Sequence, residues 1–310
     1  MKLYIRHLYQ AIVSAHSAAY HTWRFLRNSN ISLDNSSKPK LEYHLVRIYH
    51  ALEKSLSFTN RRKGAGAGNL SSLKSAISKA GNEDGFFIET ANYVVRKFEE
   101  NKVDEFDRSD YSSRNLKGGA FEIDKEDFQL GKLSNPELFF LSRYSLREYE
   151  DKTVDGDTVR RAIELSMKTP SVCNRQEWAI YHSCDELVIS KALSLQSGNR
   201  GFGDKVRNIF IVAVDQRAFI EGKESYQGWI DGGMFAMSII YSLHSLGIGA
   251  CCLNWSQTPK VDKELRRILS IEDHHTVCMM ISFGYPKEKN KVCVSSRRPV
   301  NQILFDLEVK

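Results

Sequence analysis

The stretch "NIFIVAVD", residues 208–215, decides the reading of the chain. Six consecutive apolar residues, from Ile209 to Val214, end at an aspartate. A run this short, rich in β-branched side chains and without helical spacing, predicts a strand buried on both faces. Working outward, "WAIYHS" (178–183) and "TVCMMISFG" (276–284) predict two more strands, and "GACCL" (249–253) a short one. Between them, helical patterns run to about Gln196, over 234–247 ("MFAMSIIYSLHSLG") and over 261–270. The middle helix is apolar almost all round, so it is expected to be buried. Asp157 is expected to cap a helix that runs to about Lys168. Alternating helices and strands predict a layered α and β domain, and the change of texture after Pro136 places its start there.

The chain ahead of it reads differently. Residues 43–58 set Leu45, Ile48, Tyr49, Leu52 and Leu56 on one helical face. The loop "RRKGAGAGNLSS" follows, then helical runs over 70–80 and 86–100, the second with Phe87, Ala91, Val94, Val95 and Phe98 in register. Residues 101–134 are polar, mixed in charge and interrupted by Gly118 and Gly119, which predicts a linker. The division is therefore a helical extension with linker over 1–135 and a second domain over 136–310. The first twenty residues predict an amphipathic helix rather than a cleaved leader.

Composition bounds the function. The 310 residues are 42% hydrophobic and 26% charged, ordinary globular values with enough chain for a sizeable core. No apolar run reaches the roughly 18 residues of a membrane span. Six cysteines lack any CxxC spacing and are expected to be mostly buried thiols of a reducing, cytoplasmic compartment. The net charge of +6 lies in the front: residues 1–101 balance at +7 and the remainder at −1. Without a dense basic block or a nucleic-acid motif, that excess predicts a solvated surface and no nucleic-acid partner.

Three polar clusters carry chemistry. "SRYSLREY" offers Arg143, Ser145 and Arg147, two guanidinium forks and a hydroxyl that can converge on a phosphate. "TPSVCNRQEW" (169–178) offers Ser171 and Asn174, whose donors and acceptors suit the edge of a heteroaromatic ring. "SSRRPV" sets Arg297 ahead of a stiffening proline. His274 and His275, adjacent in a strand-like stretch, are expected to point to opposite faces rather than share a metal.

In order and spacing, these segments, the glycine-bounded helix and the Gly284-Tyr285-Pro286 turn resemble the FMN-dependent nitroreductase family over about residues 140–305. The resemblance implies an α+β, three-layer fold with a mixed central sheet flanked by helices, here with an N-terminal helical extension. It implies that Arg143, Tyr144, Ser145 and Arg147 grip the FMN phosphate and ribityl chain, with Arg297 closing on the same phosphate. Pro170, Ser171, Val172 and Asn174 would reach the flavin of a partner subunit, so the assembly implied is a homodimer with shared flavin sites. Asn199 would read the pyrimidine edge, and Leu253, Asn254 and Trp255 would line the ring near N5. The activity implied is hydride transfer from NAD(P)H, as co-substrate, to a small electron-poor acceptor. The pattern departs where Glu177 replaces a proline before Trp178, and where Gly201 and Ser295 stand at positions often cationic. A second reading is a redox-inactive flavin-fold binding or regulatory protein, in surface-polysaccharide assembly. That reading draws on "HALEKSLSF" and its Arg/Gly-rich loop, which resemble the extension of nitroreductase-like proteins from polysaccharide gene clusters. The tail, 301–310, alternates Ile303, Phe305 and Leu307 with polar residues, as a strand does; the resemblance implies that it crosses to the partner's sheet.

Overall fold

The structure, a computed structural model, describes residues 2–33, 37–62, 64–80, 85–105 and 118–309. Its elements in chain order are α1 (Lys2–Asn28), α2 (Lys38–Leu56), α3 (Ala67–Ala80), α4 (Phe86–Glu100), β1 (Asp104–Glu105), β2 (Phe121–Glu122), α5 (Lys125–Phe128) and α6 (Pro136–Leu141). Then follow α7 (Gly156–Ser166), β3 (Trp178–Ser183), α8 (Glu186–Ser194), β4 (Ile209–Asp215), α9 (Gln227–Ser245), β5 (Gly249–Asn254), α10 (Pro259–Ile268) and β6 (His275–Gly284).

The main sheet has the order β3-β4-β6-β5, every pair antiparallel. A parallel bridge from Ser145 to Ala250 extends it beyond β5 and makes that edge mixed. All seven residues of β4 are buried, as its unbroken apolar run requires. Successive side chains go to opposite faces. Ile209, Ile211 and Ala213 join a core with Ile189 and Leu193 of α8 and Leu265 of α10. Phe210 and Val212 join another with Val159 and Ala162 of α7 and Phe235, Ile239 and Leu243 of α9. Helices on both faces of one sheet give the three layers. The cap of α7 lies two residues earlier than the sequence suggests: Asp155 accepts from the Thr158 N–H at 2.8 Å, leaving Asp157 in the first turn.

α9 is buried on one face only. Gly228 and Gly232 let it lie close on the sheet, where a Cβ would come within 2.8 Å of Val214 and 2.6 Å of the Cys278 sulfur, respectively. Its outer face leaves Trp229, Ile230 and Met234 exposed, as is Tyr226 just before it. The apolar circumference read from the sequence is thus only partly covered by the described residues of one chain.

The extension has a core of its own. Leu45, Ile48, Tyr49, Leu52 and Leu56, the face read from the sequence, pack with Leu73 and Ala76 of α3 and with Ala91, Val94 and Phe98 of α4. α2 starts earlier than its apolar spacing because Pro39 fits the first turn, where no N–H partner is needed. The flanks of the expected linker are fastened. Asp104 accepts from the Tyr93 hydroxyl and pairs with Lys97, β1 pairs with β2, and the Gly119 N–H donates to Glu53 at 3.0 Å. Residues 106–117 lie outside the described residues.

Three anchors dock the extension on the layered unit. Asp262, 5% exposed, accepts from the Tyr20 hydroxyl of α1 at 2.8 Å, the Trp255 indole at 3.0 Å and Arg266 at 3.1 Å. Burial alone would raise its pKa, but Arg266 and these hydrogen bonds hold it below the usual carboxylate range. Arg24, also buried, donates to the Asp273 and His275 carbonyls. Tyr43 of α2 donates to Asp215, whose carboxylate is gripped by Arg217 at 2.6 Å.

The two histidines do not point apart. His274 sits in the turn before β6, so strand alternation does not govern it, and the two rings lie 4.5 Å apart, both half-buried. The cysteines also differ from expectation. Cys251 is buried, Cys173 and Cys278 are half-buried, and Cys184, Cys252 and Cys293 are exposed; all are free thiols. The tail forms only a short 3-10 turn at Val300–Gln302, and Ile303, Phe305 and Leu307 are all exposed, so the alternation there buries neither face on its own chain. Among the described residues, no helix is long and apolar enough to cross a membrane.

Candidate cofactor-binding site

The segment that carries Arg143, Ser145 and Arg147 lies along the β5 edge. Ser145 bridges Ala250 there, the Leu146 N–H donates to the Ala250 carbonyl at 3.1 Å, and the Leu146 side chain is buried. Tyr144 and Arg147 are exposed, and Arg143 and Ser145 are half-buried. Arg147 reaches the Cys293 sulfur at 3.6 Å, which brings the 293–297 segment alongside. Arg297 turns back onto its own chain, donating to the Ser295 carbonyl. Among the described residues, none of Arg143, Arg147 and Arg297 has a carboxylate partner. The structure thus brings Arg143, Ser145 and Arg147 to one sheet edge, with Cys293, four residues ahead of Arg297, beside Arg147.

The loop of residues 170–176 is held in an unusual conformation. Cys173, Asn174 and Gln176 all have left-handed backbones, with φ of 50°, 53° and 52°. Each costs about 1–2 kcal/mol for a residue with a Cβ. The surroundings over-determine the shape. The Val172 N–H donates to Asp231 at 3.0 Å, and the Gln176 N–H to the Ser171 hydroxyl at 2.9 Å. Arg175, 2% exposed, donates to the Ala218 carbonyl at 2.9 Å and pairs with Glu224 at 2.6 Å. The result presents Pro170 outward with Ser171, Val172 and Asn174 half-buried. Helix α2 of the extension packs against the back of this loop.

Behind the loop lies a feature that the sequence shows only as a departure. Glu177 is fully buried, and neither carboxylate oxygen has a hydrogen-bond partner among the described residues. Asp231, equally buried, is its neighbour and already accepts from Val172 and Gln227. Burial first, then the close approach of the Asp231 carboxylate and its charge, push the Glu177 carboxyl up to about 9. At neutral pH Glu177 is therefore protonated and able to donate towards Asp231. No local motif announces this pair, since its members stand far apart in the chain.

The remaining sequence-derived residues serve packing as well. The Asn199 amide donates to the Leu193 and Gln196 carbonyls at 2.8 and 2.6 Å, closing the end of α8. Leu253 and Trp255 are buried in the core, Trp255 tied to Asp262. Asn254 is exposed and accepts from Gln196 through both its carbonyls, at 3.1 and 3.3 Å. The structure therefore does not gather Asn199, Leu253 and Trp255 into one open polar surface with the arginines.

Comparison with known proteins gives this geometry a context. Residues 196–285 match a family model described as the nitroreductase family. A protein of Archaeoglobus fulgidus, provisionally named NADH dehydrogenase/NAD(P)H nitroreductase, is 26% identical over 152 residues, covering 48% of this chain and 83% of its own. A similarly named protein of Methanothermobacter thermautotrophicus is 23% identical over 161 residues, covering 51% and 82%. Among solved structures, an FMN-dependent nitroreductase of Clostridium difficile superposes with a TM-score of 0.47 at 20% identity, over 55% of this chain and 98% of that one. The matched stretch begins just after α8 and runs through β6 to Tyr285, so over this part of its α+β unit the chain is similar to the nitroreductase family, and an N-terminal helical extension precedes that unit.

Proposed function

We propose that the chain is an FMN-dependent NAD(P)H oxidoreductase that reduces a small electron-poor acceptor by ping-pong hydride transfer. The observation that carries this reading is the row of cations at the β5 edge. Arg143 and Arg147, with the Arg297 segment alongside, keep their charge unneutralised by any described carboxylate, as a dianionic phosphate requires. The residues therefore fit FMN: the three arginines, Tyr144 and Ser145 would hold its phosphate and ribityl chain. Ser171 and Asn174 offer polar groups for a ring edge, while Pro170 and Val172 offer apolar contact. When bound, FMN supplies the hydride chemistry, and the protein binds, orients and shields it. No general acid or base is needed from the chain.

Arg297→Ala is expected to weaken FMN binding about tenfold to a hundredfold, the loss of one charge-assisted contact. Flavin-fluorescence titration measures this, and unchanged affinity removes Arg297 from the site. A yellow preparation bleached by NADPH or NADH under anaerobic conditions supports turnover. A colourless one that refuses added FMN supports the redox-inactive binding role.

The working unit in this reading is a cytoplasmic homodimer with shared flavin sites. The exposed apolar face of α9 and the exposed tail support it, because both leave large side chains in water in a single chain. A tail strand added to the partner's sheet would bury one face of the Ile303, Phe305 and Leu307 alternation. Deleting residues 302–310 is then expected to lower both dimer stability and flavin retention. A truncated protein that stays dimeric and yellow through gel filtration at micromolar concentration defeats the crossing tail.

A further inference from the structure

Arg61, Arg62, Ala65, Gly66 and Asn69 play no part in the flavin reading, yet they wall a cavity in the extension. That cavity has a volume of about 360 Å³ and is lined by Lys54, Ser55, Asn60, Arg61, Arg62 and Asn69, among others. Among the described residues, the cations Lys54, Arg61 and Arg62 line it and no carboxylate does. Among the described residues, Lys54, Arg61 and Arg62 have no ion-pair partner. The nearby acid in the chain, Glu53, is turned elsewhere: one oxygen accepts from the Gly119 N–H at 3.0 Å and the other lies 3.4 Å from His50.

Arg61 is the least expected of the three. Its guanidinium lies 4.5 Å from the centre of the Phe98 ring, and its Nη1 is buried without a hydrogen-bond partner. A guanidinium nitrogen withdrawn from water and left unbonded is costly unless an acceptor reaches it. The backbone adds donors. The first hydrogen bond of α3 runs from the Leu70 N–H to the Gly66 carbonyl, so the Gly68 and Asn69 N–H groups have no carbonyl within the helix. The start of this 14-residue helix, without acidic residues in its first turn, also favours negative charge. Gly66 permits the arrangement: its φ is +86°, and a Cβ there would come 2.6 Å from Phe98. Phe58, half exposed, forms an apolar rim.

From this cavity we infer a second anion site, separate from the flavin site, that takes the phosphoryl group of a phosphate monoester or diphosphate. Arg61 supplies the inner fork, Lys54 and Arg62 the outer charges, and Asn69 at the start of α3 a further donor. The Phe58 rim accommodates the apolar part of an ester.

Calorimetric titration of pyrophosphate into the full chain, presaturated with FMN, tests it. Saturable binding is expected, weakened at least tenfold in the Lys54→Ala/Arg62→Ala double variant and unchanged in Arg297→Ala. Both substituted side chains are exposed, so an unchanged circular dichroism spectrum is expected to accompany the loss. Absence of saturable heat, or equal affinity in the double variant, overturns the site. Sedimentation with phosphatidic acid vesicles identifies the source of the phosphoryl group. Vesicle binding that pyrophosphate displaces and the double variant loses supports the site with a lipid headgroup as ligand. Vesicle binding indifferent to both overturns it.

Discussion

The contribution of Glu177 to stability is expected to fall as the pH rises from about 5 towards 9, and Glu177→Gln is expected to remove that contribution from the pH profile. In the unfolded chain Glu177 ionises near the ordinary glutamate value of about 4.5. In the folded chain burial and Asp231 push it up to about 9. The unfolded state therefore gives up its proton first. The contribution of Glu177 is fully present below about pH 4.5, declines through neutrality and is gone once the folded carboxyl ionises. One such group contributes a slope of up to about 1.4 kcal/mol per pH unit, so the effect across neutrality is large. Glutamine keeps a donor towards Asp231 at every pH and carries no charge. Urea unfolding of the wild-type chain and Glu177→Gln at pH 5, 7 and 9 measures the difference. Parallel pH profiles would mean that Glu177 is not the group that titrates. Glu177→Ala, which leaves a void and deprives Asp231 of its donor, is expected to be destabilising at every pH.

Arg175→Ala is expected to cost about 3–5 kcal/mol, the usual consequence of removing one partner from a buried ion pair. Arg175 and Glu224 are both buried or nearly so, 2.6 Å apart, and Glu224 also accepts from the Ile220 N–H at 2.8 Å. Burial tends to raise the Glu224 pKa, but Arg175 and the backbone donors hold it low, so removing the arginine strands a buried charge. The same substitution frees the 170–176 loop from the Ala218 carbonyl. Flavin retention is therefore expected to drop together with the thermal midpoint. A variant with unchanged melting temperature would show that the pair contributes nothing net.

The layered domain was legible in the sequence because its signal is local. An unbroken apolar run such as Ile209–Val214 can be a strand only in a fully covered position, and α2 shows its buried face in Leu45, Ile48, Tyr49, Leu52 and Leu56. Position 155 capping a helix instead of 157 is a difference of half a turn, which spacing alone does not resolve. The histidine pair was misread because alternation holds only inside a strand, and His274 lies before one. What was not legible is long-range. Glu177 meets Asp231, Tyr43 meets Asp215, and Asp262 joins Tyr20 to Trp255 only after folding. In the sequence each is one more charged or aromatic residue. The cation pocket is local by contrast, built from the end of α2, the loop after it and the start of α3, and its cations are visible in the sequence only as a basic loop.

The left-handed backbone of the 170–176 loop has a thermodynamic corollary. Its three constrained residues are fixed by Asp231, Ser171 and Arg175, groups of the protein itself. The loss of chain entropy is therefore incurred during folding and not again on association. Flavin uptake should then show the small heat-capacity change of docking onto a rigid surface, without the large negative value that accompanies coupled ordering of a segment.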